Sequence, residues 1–170
     1  MSVSLSKAAG DRLNAADVMA LANELNSLTR PQIASSTSPS AAIGTSPTAV
    51  LTISGCVLRA GCAYSVENVG GVYGSVANEA DFSLWKTSTA GTQIGAFYRT
   101  PANTVGIQRS CNSRIFIRNS TGGDLTFDMV LSVAASTGTV VHYAAASFPR
   151  MLIVKYEGLA SEWPGTNQVT

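Results

Sequence analysis

Charged side chains are scarce in this sequence. Asp, Glu, Lys and Arg make up 12% of its 170 residues and the formal net charge is +1, whereas an average soluble domain carries about 25% charged residues. A nucleic-acid interface needs clustered Lys and Arg, so we expect none. Ser (21) and Thr (16) supply most polar groups. A protein surface with so few charged residues associates readily with other surfaces. We therefore expect copies of the chain or neighbouring proteins to cover part of this surface. The alternative is a soluble monomer with a hydroxyl-rich surface.

Residues that usually carry catalysis or hold metals are also rare. His142 is the only histidine and no GxSxG sequence is present, so a Ser–His–Asp triad is not expected. Cys56, Cys62 and Cys111 occur without a CxxC motif, which favours small buried side chains over a disulfide framework or a zinc site. No phosphate-binding Gly-rich loop occurs. We therefore predict no catalytic residue, no metal, no cofactor and a protein that is not an enzyme.

One enzymatic alternative stays open, a pair of carboxylates about 5 to 10 Å apart as in glycoside hydrolases. Spacing in a sequence cannot reveal such a distance. Six carboxylates lie in or near the predicted sheet: Glu67, Glu79, Asp81, Asp124, Asp128 and Glu157.

Long apolar runs are missing as well. The first residues, MSVSLSKAAGDRLNAAD, contain no apolar stretch of the kind that a secretory signal needs. No segment approaches the roughly 18 apolar residues of a membrane span. We expect a protein that is made in a cytoplasm and that binds no membrane.

Residues 1–30 are predicted to form an anchoring helix. Asn14 is a favourable N-cap, Asp17 suits the positive end of the helix dipole, and Ala-rich helix formers follow. The helix should span residues 15–28, and Pro31 marks its end.

The predicted helix carries an apolar stripe that is our candidate self-association site. Val18, Leu21, Leu25 and Leu28 are spaced 3, 4 and 3, which is an a/d pattern over two heptads. An isolated helix of about 14 residues is marginal in water, so it must dock somewhere. A bundle between copies of the chain and a helix packed on its own domain both fit the stripe.

Residues 31–48, PQIASSTSPSAAIGTSPT, show no periodicity and carry three prolines among Ser, Thr and Ala. Such a composition is typical of a linker or an extended arm. Fully stretched, 18 residues could reach roughly 60 Å, far enough to lie along a neighbouring subunit. Residues 159–170 contain Pro164 and Gly165 without a pattern and are predicted to form a C-terminal tail that lies on a surface.

Residues 49–158 are predicted to form a β-sandwich. The clearest strand is 124–133, where apolar side chains alternate with mostly polar ones in a period of two. About eight to ten short strands separated by Gly-rich turns indicate an all-β, jelly-roll-like antiparallel sandwich, preceded by the short helix and the linker. The strand candidates are residues 50–54, 57–59, 63–67, 82–84, 93–99, 104–108, 115–117, 124–133, 139–143 and 152–156.

Aromatic side chains in the sandwich could stack on sugar rings, although core packing or a subunit interface explains them as well. Phe97 and Tyr98 are adjacent in a predicted strand, so one of the two should point outward. The candidates for a sugar-binding surface are Tyr64, Tyr73, Trp85, Phe97, Tyr98 and Tyr143.

Several segments resemble small virion structural proteins of tailed phages, in particular phages of actinobacteria. Residues 13–17 (LNAAD) resemble the start of such proteins, and residues 58–64 (LRAGCAY) resemble the L-x-A-G-x-x-Y segment that begins their first paired strands. Residues 87–99 resemble their next strand pair. Residues 138–140 and 149–154 resemble their closing hairpin. One departure is residues 155–158 (KYEG), which stand where the family commonly has an acidic V-x-D-x-G ending.

The resemblance implies a virion location and a particular set of partners. Members of this family are minor tail, head-fibre or decoration proteins and are often trimeric, and no catalytic residues come with the resemblance. It therefore implies a homotrimer that docks on capsid or tail proteins. The alternative function is a carbohydrate-binding module that recognises a host envelope glycan.

Overall fold

The computed structural model describes residues 14–102 and 107–170. The described chain divides after Arg30 into two compact units. The first unit contains helix α1 (Ala15–Thr29). Asn14 Oδ1 accepts a hydrogen bond from the Asp17 backbone N–H at 2.9 Å, and Asp17 Oδ2 accepts one from the Asn14 N–H at 2.9 Å. This reciprocal capping box satisfies two N–H groups at the helix start and confirms the predicted N-cap and helix.

The second unit is built from strands. Among the described residues there are thirteen, joined by turns and one short 3-10 helix (Ala160–Glu162). The strands are β1 (Gln32–Ser36), β2 (Thr48–Leu58), β3 (Cys62–Val69), β4 (Gly71–Gly74), β5 (Asn78–Lys86), β6 (Thr92–Ala96), β7 (Thr100–Ala102), β8 (Arg109–Ser110), β9 (Ser113–Asn119), β10 (Leu125–Ala135), β11 (Val140–Tyr143), β12 (Arg150–Leu159) and β13 (Asn167–Val169).

The strands form a sandwich and a small third sheet. One large sheet has the order β1-β12-β3-β9-β13, and the other has β2-β10-β5-β6 with β7 also paired to β5. The small sheet has the order β11-β4-β8. The β2–β10 pair of one large sheet continues along the chain into the β3–β9 pair of the other sheet. Strand pairs that pass together between two sheets are the arrangement of a jelly roll, so the predicted jelly-roll-like antiparallel sandwich is confirmed.

The core lies between the inner faces of the two large sheets. In β10, Phe127, Met129, Leu131 and Val133 are buried and belong to one cluster with residues of the opposite sheet, including Val66 and Leu152. Successive strand residues point to opposite faces, which is why the period of two in residues 124–133 identified this strand.

The segment 31–48, predicted to be a linker or arm, belongs to the sandwich unit. Strand β1 pairs antiparallel with β12 from Gln32↔Val154 to Ser36↔Arg150. Ile43 is 4% exposed, and its N–H and C=O both bond to Val140 at 2.8 Å. The prediction failed here because these backbone groups pair with strands more than 90 residues away. The Ser-rich sequence of residues 31–48 contains no local pattern that indicates this pairing.

The segment 159–170, predicted to be a patternless tail, also carries ordered structure. Strand β13 pairs with β9 in parallel, and Val169 is fully buried. Trp163 stacks on Phe116 of β9, with ring centroids 4.7 Å apart and planes 20° apart. The buried side chains of Ala160 and Val169, the stacked Trp163 ring and the backbone pairing of β13 hold the segment, and none of these produces a periodic pattern.

Three further strand predictions changed. The predicted strands 50–54 and 57–59 are parts of one strand, β2, which ends at Leu58. Within it Gly55 adopts a positive φ of 62° and donates its N–H to Asp128 Oδ1 at 2.9 Å. The closing hairpin implied for residues 138–140 and 149–154 is wrong, because β11 pairs with β4 whereas β12 pairs with β1 and β3. The predicted strand 104–108 lies mostly outside the described residues, and no strand is described at 107–108.

Candidate functional site

The apolar stripe of α1 is exposed to solvent where its side chains are described. Val18 is 52% exposed, Leu21 41% and Leu25 60%. These positions recur at intervals of three and four residues, which places them on one face of the helix. The side chain of Leu28, the fourth predicted member, lies outside the described residues. The structure therefore places three of the four candidate residues together as an uncovered apolar face.

Met19 is a further exposed apolar side chain that the sequence analysis did not single out. It is 61% exposed, but it follows Val18 directly and therefore points about 100° away from it around the helix, off the stripe. Burying apolar side chains releases about 25 cal/mol per Å² removed from water. An exposed face of this kind can therefore drive association with another apolar surface.

The six aromatic candidates do not form a common platform. Tyr64 is buried, accepts a hydrogen bond from the Arg59 N–H at 2.7 Å, and has its hydroxyl pKa raised by burial. Phe97 is buried and Tyr98 is 88% exposed, which confirms that the two point in opposite directions. Tyr64 and Phe97 are core residues, so they cannot stack on a sugar.

The other aromatic candidates lie on outer faces. The Trp85 indole N–H donates to Ser132 Oγ at 2.7 Å across the paired strands β5 and β10. Tyr73 and Tyr143 are half-buried in the small sheet, with ring centroids 6.1 Å apart and planes inclined by 55°. This pair is the one place where the structure brings two of the candidate rings together.

The side chain of His142 lies in the protein core. Its imidazole is fully buried and packs edge-on against Phe82, with centroids 5.1 Å apart and planes 70° apart. Burial, and then the positive charge of Arg150, lower its pKa to about 3. A neutral imidazole packed in the core cannot reach a substrate.

Each of the six candidate carboxylates has a structural partner. Lys155, followed by Arg114, lowers the pKa of Glu67 on the outer face of the sandwich. The Ala60 N–H and the Arg59 guanidinium lower the pKa of Asp124. The partner distances are Glu67–Arg114 2.6 Å, Glu67–Lys155 2.9 Å, Asp124–Arg59 2.7 Å, Glu79–Arg99 3.3 Å, Asp81–Arg99 2.7 Å, Asp128–Gly55 2.9 Å and Glu157–Ser65 2.5 Å.

The three cysteines are buried and unpaired with one another. Burial raises the pKa of the Cys56 and Cys111 thiols to about 12 and also raises that of Cys62. They pack as small apolar side chains, as the sequence predicted. Within residues 14–102 and 107–170, no three His, Cys, Asp or Glu side chains are grouped as ligands for a metal ion.

The helix of the described chain is too short to cross a membrane.

No protein-family model matches this chain, and neither does any curated protein. Among solved structures, the chain is similar to a protein of infectious bursal disease virus, Gt strain, with 15% identity and a TM-score of 0.41 over 76% of this chain and 38% of that one. It is similar to the VP2 subviral particle of the same virus, with 13% identity and a TM-score of 0.38 over 76% of this chain and 38% of that one. The C-terminal CBM6 of LamC, a marine laminarinase from Zobellia galactanivorans, gives 11% identity and a TM-score of 0.34 over 74% of this chain and 99% of that one. The chain thus spans little more than a third of the viral chains, and these likenesses assign it to no family.

Proposed function

We propose that this chain is a non-enzymatic structural protein of a phage virion. In this proposal it associates with copies of itself through α1, as a homotrimer, and docks on capsid or tail proteins of the particle. The observation that carries the proposal is the exposed apolar face of Val18, Leu21 and Leu25. The low fraction of charged residues in the chain, 12%, is a second reason to expect that copies of the chain or other proteins cover part of its surface.

The helix is suited to association by its length and by its spacing. It has 15 residues, and an isolated helix of that length is marginally stable in water, so packing must supply stability. An a/d face supplies it when facing helices insert their side chains between one another. The trimeric state and the virion location rest on the resemblance to phage proteins, and the sandwich would project from the particle or cement it.

The test replaces two leucines of the stripe with aspartate. In the Leu21→Asp/Leu25→Asp variant, burial of two carboxylates in the seam is strongly unfavourable, so we expect the variant to be missing from assembled particles while its sandwich stays folded. Asn23→Asp/Asn26→Asp is the matched control, because it adds the same charges to exposed helix positions off the stripe. Incorporation of the stripe variant at the wild-type level would contradict the proposed role.

Recognition of a host envelope glycan is a second candidate function. It is favoured by one observation, the contact between the half-buried rings of Tyr73 and Tyr143 in the small sheet. It makes no use of α1, so the two functions can be tested separately.

A further inference from the structure

The small sheet β11-β4-β8 has a buried inner face and an aromatic outer face. Val72, Val140 and His142 are fully buried on the inner side. The alternate residues of the same strands point the other way. There, Tyr143 pairs directly with Gly71, and Tyr73 follows Gly71 by two residues on the same face. The two tyrosine rings therefore lie on the side of the sheet that faces away from the core.

A shallow cleft of about 270 Å³ borders this aromatic face. Its lining combines an apolar ring with amide, hydroxyl and guanidinium groups, and Phe148 within it is 41% exposed. Binding sites for small ligands typically pair apolar walls with a few orienting polar groups, in volumes of roughly 300 to 1,000 Å³ for drug-sized ligands. A cleft slightly below that range suits one sugar ring. The lining residues are Gly71, Gln108, Arg109, Ser110 and Phe148.

Gly71 connects the cleft to the tyrosine pair. A Cβ atom added at Gly71 would lie 3.5 Å from Cβ and Cδ1 of Tyr143, which is ordinary van der Waals contact. Gly71 is also absent from the glycines with positive φ, so its backbone conformation is open to any residue. Neither packing nor backbone geometry requires glycine at this position. Gly71 lines the cleft, and the Tyr143 ring therefore lies directly next to the cleft wall.

We propose that this cleft binds a pyranose unit of a neutral glycan, an inference that deepens the second candidate function. The electron-rich face of an aromatic ring attracts the C–H groups on one face of a sugar ring. Phe148 supplies such a face within the cleft, and the Tyr143 ring lies at its border, next to Gly71. The sugar hydroxyls can both donate and accept hydrogen bonds, and Gln108 and Ser110 offer both kinds of partner at the rim.

The test measures binding of the full-length chain to glucose, galactose and N-acetylglucosamine hexasaccharides by isothermal titration calorimetry. Gly71→Val places a branched side chain in the cleft while keeping a residue that strands favour. Tyr143→Val removes the aromatic ring that borders the cleft beside Gly71. We expect each variant to weaken binding at least about tenfold. Tyr98→Val is the control, because it removes an 88% exposed aromatic ring from another strand connection. It should leave binding unchanged.

The possible results distinguish a wrong binding site from a wrong function, glycan recognition itself. Binding by the wild type and by Tyr98→Val, with loss in Gly71→Val and Tyr143→Val, supports the cleft. Binding that Gly71→Val and Tyr143→Val leave intact overturns the cleft but keeps glycan recognition at another surface. Failure of the folded wild type to bind any of the three hexasaccharides at millimolar concentration overturns the proposal for neutral glycans. None of these results bears on self-association through α1.

Discussion

The side-chain amide of Gln32 pairs with the backbone of Val57 as an additional strand residue would. Gln32 Nε2 donates to the Val57 carbonyl at 2.8 Å, and the Val57 N–H donates to Gln32 Oε1 at 2.8 Å. Gln32 lies in β1, the edge of one large sheet, whereas Val57 lies in β2, the edge of the other. The contact therefore closes one side of the sandwich and satisfies backbone groups on an edge that could otherwise pair with another chain.

Removal of this amide should destabilise the sandwich. We expect Gln32→Ala to lower the free energy of unfolding by about 1 to 3 kcal/mol, because it leaves the N–H and C=O of Val57 without their partners. Gln32→Glu should also destabilise it, since a carboxylate cannot donate to the Val57 carbonyl. Urea unfolding at neutral pH measures both, with the exposed Ser35→Ala in the same strand as the control. Equal unfolding midpoints for Gln32→Ala and Ser35→Ala would refute the structural role of this contact.

The cysteines should be unreactive in the folded protein. The thiolate is the reactive form, and burial raises the pKa of Cys56 and Cys111 to about 12. We expect a chromogenic disulfide reagent at pH 8 to modify almost no thiol in native buffer and all three in concentrated denaturant. Rapid labelling of one or more cysteines without denaturant would show that the core opens more readily than the buried positions indicate.

His142 should make stability depend on pH. Its folded-state pKa is about 3, against an ordinary value of 6.5, so between these pH values the unfolded chain binds a proton that the folded chain does not. The neutral histidine therefore contributes stability above about pH 6.5. That contribution is lost as the pH falls towards 3, by about 1.4 kcal/mol per pH unit.

The variant His142→Gln isolates this dependence, because glutamine does not titrate. Between pH 6 and pH 4, the unfolding free energy of the wild type should fall more steeply than that of His142→Gln. The carboxylates with lowered pKa values, Glu67 and Asp124, also lose stabilising charge in acid, but they are common to both proteins and cancel in the difference. Parallel pH curves for the two proteins would contradict the burial of a neutral imidazole.

Helix α1 and strand β10 could be predicted because the residues that define each of them lie within one short stretch of sequence. The capping residues Asn14 and Asp17 and the run of helix formers define α1. The alternation in residues 124–133 defines β10, which pairs with strands on both sides and therefore buries a regular inner face. The apolar stripe of α1 was visible for the same reason, because its spacing matches the helical repeat.

Features that depend on distant partners could not be predicted. Strand β1 exists because β12, more than 110 residues later, supplies its hydrogen-bond partners. Strand β13 is three residues long and depends on β9. The cleft at Gly71 forms because β8 pairs with β4 and Phe148 lies beside them, and a single glycine in the sequence gives no indication of these distant neighbours.

The most direct test of the central claim is the mass of the purified full-length chain, measured by light scattering coupled to size-exclusion chromatography. We expect about three times 17.6 kDa for the wild type and for Asn23→Asp/Asn26→Asp, and the mass of a single chain for Leu21→Asp/Leu25→Asp. A wild-type protein that elutes with the mass of one chain at every concentration tested would contradict self-association through α1.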